Sequence, residues 1–145
     1  MTVTIPSGAT VLFIGDSITD AGRDRANPDD LGHGYALIAA ALFGARHPGH
    51  GVRFGNRGIG GDRVRDLRKR WTEDCITLRP DVVSVMIGVN DTWRGFDSGD
   101  VTSTEDYEND YREILTATRV GHRRVHLTPA GDALLAQEWL RAVAP

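Results

Sequence analysis

The sequence predicts an α/β fold, a three-layer α/β/α sandwich built on a parallel sheet. Three observations carry this. Val11-Leu12-Phe13-Ile14 is apolar without alternation and stops at a glycine, as a strand buried on both faces does. Val82 to Val89 is a second run of that kind. Between them Val64, Leu67, Trp71, Cys75 and Leu78 recur every three or four residues, the apolar stripe of a helix lying on a sheet.

Taken in order, Met1 to Thr10 is a polar lead-in with a Pro6-Ser7-Gly8 turn. The first strand runs into Gly15-Asp16-Ser17, a sharp turn after which a helix can start. Thr19 to Gly34, rich in Gly, Asp and Asn, reads as a loop over the top of the sheet. Tyr35 to Phe43 reads as a helix stopped by Gly44 and then Pro48. Val52-Arg53-Phe54 is a short second strand entering Asn56-Arg57-Gly58-Ile59-Gly60-Gly61-Asp62. Asp62 is suited to cap the following helix. Arg65, Arg68, Lys69 and Arg70 are expected on its solvated faces, and Cys75 in the core. Ser103 or Thr104 should cap a helix to about Thr118, with Tyr107, Tyr111, Ile114 and Leu115 inward. Thr128-Pro129 reads as a cap with proline at the first helical position, opening a last helix to about Val143.

Composition sets bounds on function. The chain has 145 residues, which suits one domain, 1–145, and 40% hydrophobic residues, enough for a modest core. The net charge of −3 speaks against nucleic-acid or membrane-surface partners. A single cysteine excludes an internal disulfide. No basic segment followed by an apolar run opens the chain, and no stretch is long enough to span a membrane, so a cytoplasmic location is expected. His47 and His50 read as exposed loop histidines, and no metal site is expected.

Ser17 stands at the carboxyl end of a parallel strand, where α/β sheets place their ligands. It is either a nucleophile beside an oxyanion-binding turn or simply a helix cap. The glycines from Gly58 to Gly61 let backbone approach a ligand, although neither the phosphate-loop nor the dinucleotide spacing is present. Asn90 is an amide that could donate to an oxyanion, or part of an Asn-Asp turn.

Gly15-Asp16-Ser17-Ile18-Thr19, Asn56 to Asp62, Gly88-Val89-Asn90-Asp91 and Val125-His126-Leu127-Thr128-Pro129, in this order, resemble the four sequence blocks of the SGNH/GDSL hydrolase family of esterases and lipases. The resemblance implies a flavodoxin-like SGNH fold and a serine ester hydrolase. It makes Ser17 the nucleophile and His126 the general base. Ser17, Gly61 and Asn90 would form the oxyanion hole. The resemblance implies a small-molecule ester substrate and no cofactor, and the hydrophilic loop from Asp20 to Gly34 leans towards a short acyl group on a polar carrier such as an acetylated sugar. The residues account for such chemistry, because a serine hydroxyl needs a base and a developing oxyanion needs donors.

Two features depart from the family. The family's aspartate, three residues before the histidine, is replaced by Arg123. The stretch from Asn90 to His126 is also short, as if two βα units had been lost from the C-terminal half. This truncation predicts strand order 2-1-3, with the strand at Val82 as an edge open to self-association. Residues Arg119 to Val125 would have to run extended beside it to return His126 to the top. A catalytically impaired chain acting as a binding module, and a flavodoxin-like binding domain, are the alternative readings.

Overall fold

The computed structural model describes residues 3–121, 126–129 and 143–144. Its elements are β1 (Val3–Thr4), β2 (Thr10–Gly15), α1 (Ser17–Asp20), α2 (Tyr35–Arg46), β3 (Arg53–Gly58), α3 (Val64–Trp71), β4 (Val82–Met86), α4 (Val89–Asp97), α5 (Thr104–Gly121), β5 (His126–Pro129) and β6 (Val143–Ala144). The main sheet is parallel, in the order β3-β2-β4-β5, and β1 pairs with β6 in a small separate ladder.

Alternation along the strands sends side chains to two cores. On one face Val11, Phe13, Val82 and Met86 pack against Tyr35, Ala36, Ala39 and Phe43 of α2. The rings of Phe13 and Tyr35 meet edge to face at 5.5 Å. On the other face Leu12, Ile14, Val83 and Val85 pack against Val64, Leu67, Trp71, Cys75 and Ile114. This is the expected three-layer sandwich, with Cys75 in the core. Gly15 is sequence-specific: a Cβ there would run into the Met86 carbonyl oxygen where β2 and β4 end.

Several boundaries differ from the sequence reading, each for a physical reason. Helix α2 runs through Gly44 to Arg46, because an exposed glycine weakens a helix without ending it. The second strand extends to Gly58, paired along its whole length with β2. Helix α3 widens into a π-helical turn over Thr72–Ile76, closed by the Thr77 N–H on the Thr72 carbonyl at 2.9 Å. Strand β4 ends at Met86 rather than Val89, and helix α4 takes in Val89, Asn90 and Asp91. Its apolar residues Val89, Trp93 and Phe96 face solvent and its Asp91 faces inward, an inversion of the usual pattern. Ser103 does cap α5, accepting the Asp106 N–H at 3.0 Å.

The C-terminal expectations need the largest correction. Arg119 is not in a makeshift strand, because α5 continues to Gly121. Thr128 and Pro129 lie in β5 rather than at a helix start, and Val143 lies in β6. The strand at Val82 is not an edge, since β5 covers it. Arg123 and most of the expected last helix lie outside the described residues.

Candidate active site

Parallel strands deliver their carboxyl ends to one edge of the sheet. The register sets Gly15, Gly58 and Met86 level with one another there. The turns that follow carry Ser17, Gly61 and Asn90. Ser17 is exposed at the start of α1. The cap of α1 is Asp16, whose carboxylate accepts the Ile18 N–H at 3.0 Å. The hydroxyl of Ser17 is therefore not the capping group.

The second turn closes over the first. A Cβ on Gly60 would stand 3.7 Å from Ser17 Cβ. The Gly60 N–H donates to Asp20 at 3.0 Å, and the Ile59 N–H to the Gly15 carbonyl at 3.0 Å. Gly61 has φ +90, a conformation only glycine holds at little cost, and its Cα faces open space. The third turn is tied to the second by the Asn90 side-chain nitrogen, which donates to the Asp62 carbonyl at 2.9 Å. An amide nitrogen has two hydrogens, so a second is available to a ligand.

Beneath these turns lies a polar layer. Asn56, fully buried, donates to the Thr19 and Leu31 carbonyls at 2.6 and 2.8 Å and accepts the Gly58 N–H at 2.8 Å. Arg23 donates to the Gly58 carbonyl at 3.1 Å. Burial pushes the Asp16 carboxyl above its usual range, and does the same to Asp91 and to Asp62 against the pull of Arg70. Burial also pushes Asp20 up, but the Arg25 guanidinium and the Gly60 N–H outweigh it and hold that carboxyl below its usual range.

Ser17, Gly61 and Asn90 thus meet at one edge, and His126 does not join them. His126 pairs in register with Val82, which is level with Val11 at the amino end of the sheet. Four strand steps separate that level from Gly15, roughly 13 Å at about 3.3 Å per residue. The cause is chain length. Helix α5 starts near the top, where Tyr107 Oη donates to the Ile87 carbonyl at 3.0 Å, and descends the sheet. Four positions then precede His126, too few for the chain to climb back before β5 begins.

Sequence reasoning missed several groups that build this edge. Asp62 does not cap α3. Asp91 does so, accepting the Val64 N–H. Arg70 is not on a solvated face, for its side chain is only 14% exposed. The helical spacing of Leu67, Arg70, Trp71 and Asp74 would have revealed it, since these positions share the inward side.

Comparison with known proteins places this architecture. A profile of the GDSL-like lipase/acylhydrolase family matches residues 13–144, and the chain belongs to that family. It is 45% identical over 115 residues to an acetylxylan esterase from Geobacillus stearothermophilus, covering 77% of this chain and 52% of that protein. The chain therefore spans about half the length of this curated relative. Among solved structures, an acetyl xylan esterase variant from the same organism superposes with a TM-score of 0.79 at 41% identity, covering 85% of this chain and 60% of that one. A protein assigned as a GDSL-like lipase from Parabacteroides merdae superposes with a TM-score of 0.86 at 36% identity, covering 90% and 62%.

Proposed function

We propose that this chain is a serine ester hydrolase for short-chain acyl esters, with an acetyl ester on a sugar as the substrate class. The observation that carries the reading is the convergence of Ser17, the Gly60-Gly61 turn and Asn90 at adjacent strand ends, with the capping of α1 left to Asp16. The relatives, acetylxylan esterases by name, support the acyl group and the carrier.

In this reading Ser17 Oγ bonds to the ester carbonyl carbon and loses its proton. The carbonyl oxygen becomes an oxyanion held by the Ser17 and Gly61 N–H groups and the Asn90 amide. The carbon–oxygen bond to the alcohol then breaks, the alcohol leaves protonated, and water hydrolyses the acyl-serine to acid and free Ser17. Family resemblance gives the proton transfers to His126. With β5 in register with Val82, solvent takes that role. A serine site without its working base retains about 10³–10⁴-fold acceleration over water from the oxyanion hole and binding.

The test is fluorophosphonate labelling together with hydrolysis of p-nitrophenyl acetate. Ser17→Ala should abolish labelling and Asn90→Ala should slow it by about 10²-fold or more. Labelling that survives Ser17→Ala would remove the assignment. Absence of both labelling and turnover in the unaltered chain would favour the binding-module alternative.

A further inference from the structure

One guanidinium reaches the first two turns of the candidate site directly and the third through Asp62. Arg70, on α3, donates from Nη2 to the Gly15 carbonyl at 2.9 Å and from Nη1 to the Arg57 carbonyl at 2.8 Å. Its Nε donates to the Asp62 carboxylate at 2.7 Å, and Nη1 also meets Asp74 at 2.9 Å. Gly15 stands two residues before Ser17, and Asp62 directly follows Gly61. The main-chain carbonyl of the same Asp62 holds the Asn90 amide. A continuous path therefore runs from the nucleophile strand through Arg70 and Asp62 to the third turn.

We propose that Arg70 is a positioning residue of this site, fixing the spacing between the Ser17 and Gly61 N–H groups and, through Asp62, the Asn90 amide. The inference rests on the ester-hydrolase reading and adds a residue to it. The sheet itself does not need Arg70. Strands β2 and β3 are paired from Thr10 to Gly15, and the Ile59 N–H already bonds to the Gly15 carbonyl. Arg70 adds a link from that strand end to Asp62, beyond the sheet ladder. Oxyanion donors work only within about 2.7–3.1 Å of the developing charge, and a misplacement of about 1 Å can cost about 10²-fold. Arginine suits the task because its planar fork carries five donors, whereas a lysine is a point charge with three.

The experiment compares the unaltered chain with Arg70→Met and Arg70→Lys. The readouts are kcat and KM on p-nitrophenyl acetate, urea denaturation, and backbone amide exchange. Arg70→Met should lower kcat by about 10²-fold and leave KM within about threefold, because the donors act in the transition state. Exchange at Gly60 to Asp62 should quicken by about tenfold or more while Val83 and Val85 keep their protection. Arg70→Lys should recover part of both effects, and it carries the test if the methionine variant does not fold. Unchanged kcat with unchanged exchange at Gly60 to Asp62 would overturn the proposal. So would a uniform rise in exchange across β4, the mark of a general structural prop. If the unaltered chain hydrolyses no ester, the ester-hydrolase reading fails alone, and the exchange measurement still decides whether Arg70 orders the turn.

Discussion

Asp91, on α4, accepts the Val64 N–H at 3.0 Å through one carboxylate oxygen and at 3.3 Å through the other. A residue of the third site turn thereby caps the helix that follows the second. Two turns of the site are therefore joined through a helix start as well as through the Asn90 bond to the Asp62 carbonyl.

Asp91→Ala should cost about 1–2 kcal/mol, in the range of a lost helix cap with a buried N–H left without its acceptor. Urea denaturation measures it. Asp91→Asn, which keeps an acceptor oxygen, should cost less. Equal losses in the two variants would show that the charge, not the hydrogen bond, matters.

Trp71→Phe should cost about 1 kcal/mol. The indole nitrogen donates to Thr118 Oγ1 at 3.1 Å between α3 and α5, in a buried contact. The threonine keeps its own bond to the Ile114 carbonyl at 2.8 Å, so the loss stays modest. A fall in melting temperature well beyond that range would mean the aromatic volume, not the bond, dominates.

Asp20 sets part of the acid limit of stability. Its carboxyl is held below the usual range in the folded state, so its stabilisation is complete above the unfolded value of about 3.9 and disappears as pH falls through the folded value. Melting temperatures of the unaltered chain and Asp20→Asn should therefore differ at pH 7 and converge in strong acid. A difference independent of pH would contradict the role of the charge.

His126→Ala should change kcat on p-nitrophenyl acetate by less than about tenfold, whereas removal of a working triad histidine costs about 10⁶-fold. A loss of several orders of magnitude would show that the imidazole reaches Ser17 in solution, with β5 out of its register with Val82.

The sheet and its helices were readable because Val11 to Ile14 and the stripe from Val64 to Cys75 carry their periods openly. Ser17 and Asn90 were readable as strand-end residues for the same reason. Arg70 shares the inward helical spacing of Leu67, Trp71 and Asp74 but was masked by the neighbouring charges, and its bonds to the Gly15 and Arg57 main-chain carbonyls are ones no sequence motif displays. Asp91 and α4 were hidden because the apolar stripe of Val89, Trp93 and Phe96 faces solvent and the acid faces inward, the reverse of what such a stripe implies. The position of His126 depended on where α5 ends, and three further helical residues, Arg119 to Gly121, moved the histidine from the top of the sheet to its foot.

The order β3-β2-β4-β5 has a kinetic consequence. The central strand β2 finds both of its neighbours among residues that follow it before Asp97, while β5 joins from beyond an eighteen-residue helix. Chain order rather than loop length puts β5 last, because the register of β5 with β4 spans no more chain than that of β4 with β2, while the ribosome releases the N-terminal strands first. During synthesis the nucleophile turn and both oxyanion turns can therefore condense on β2 before the histidine-bearing strand leaves the ribosome. The first part of the chain to acquire native order is then the part that would meet the substrate.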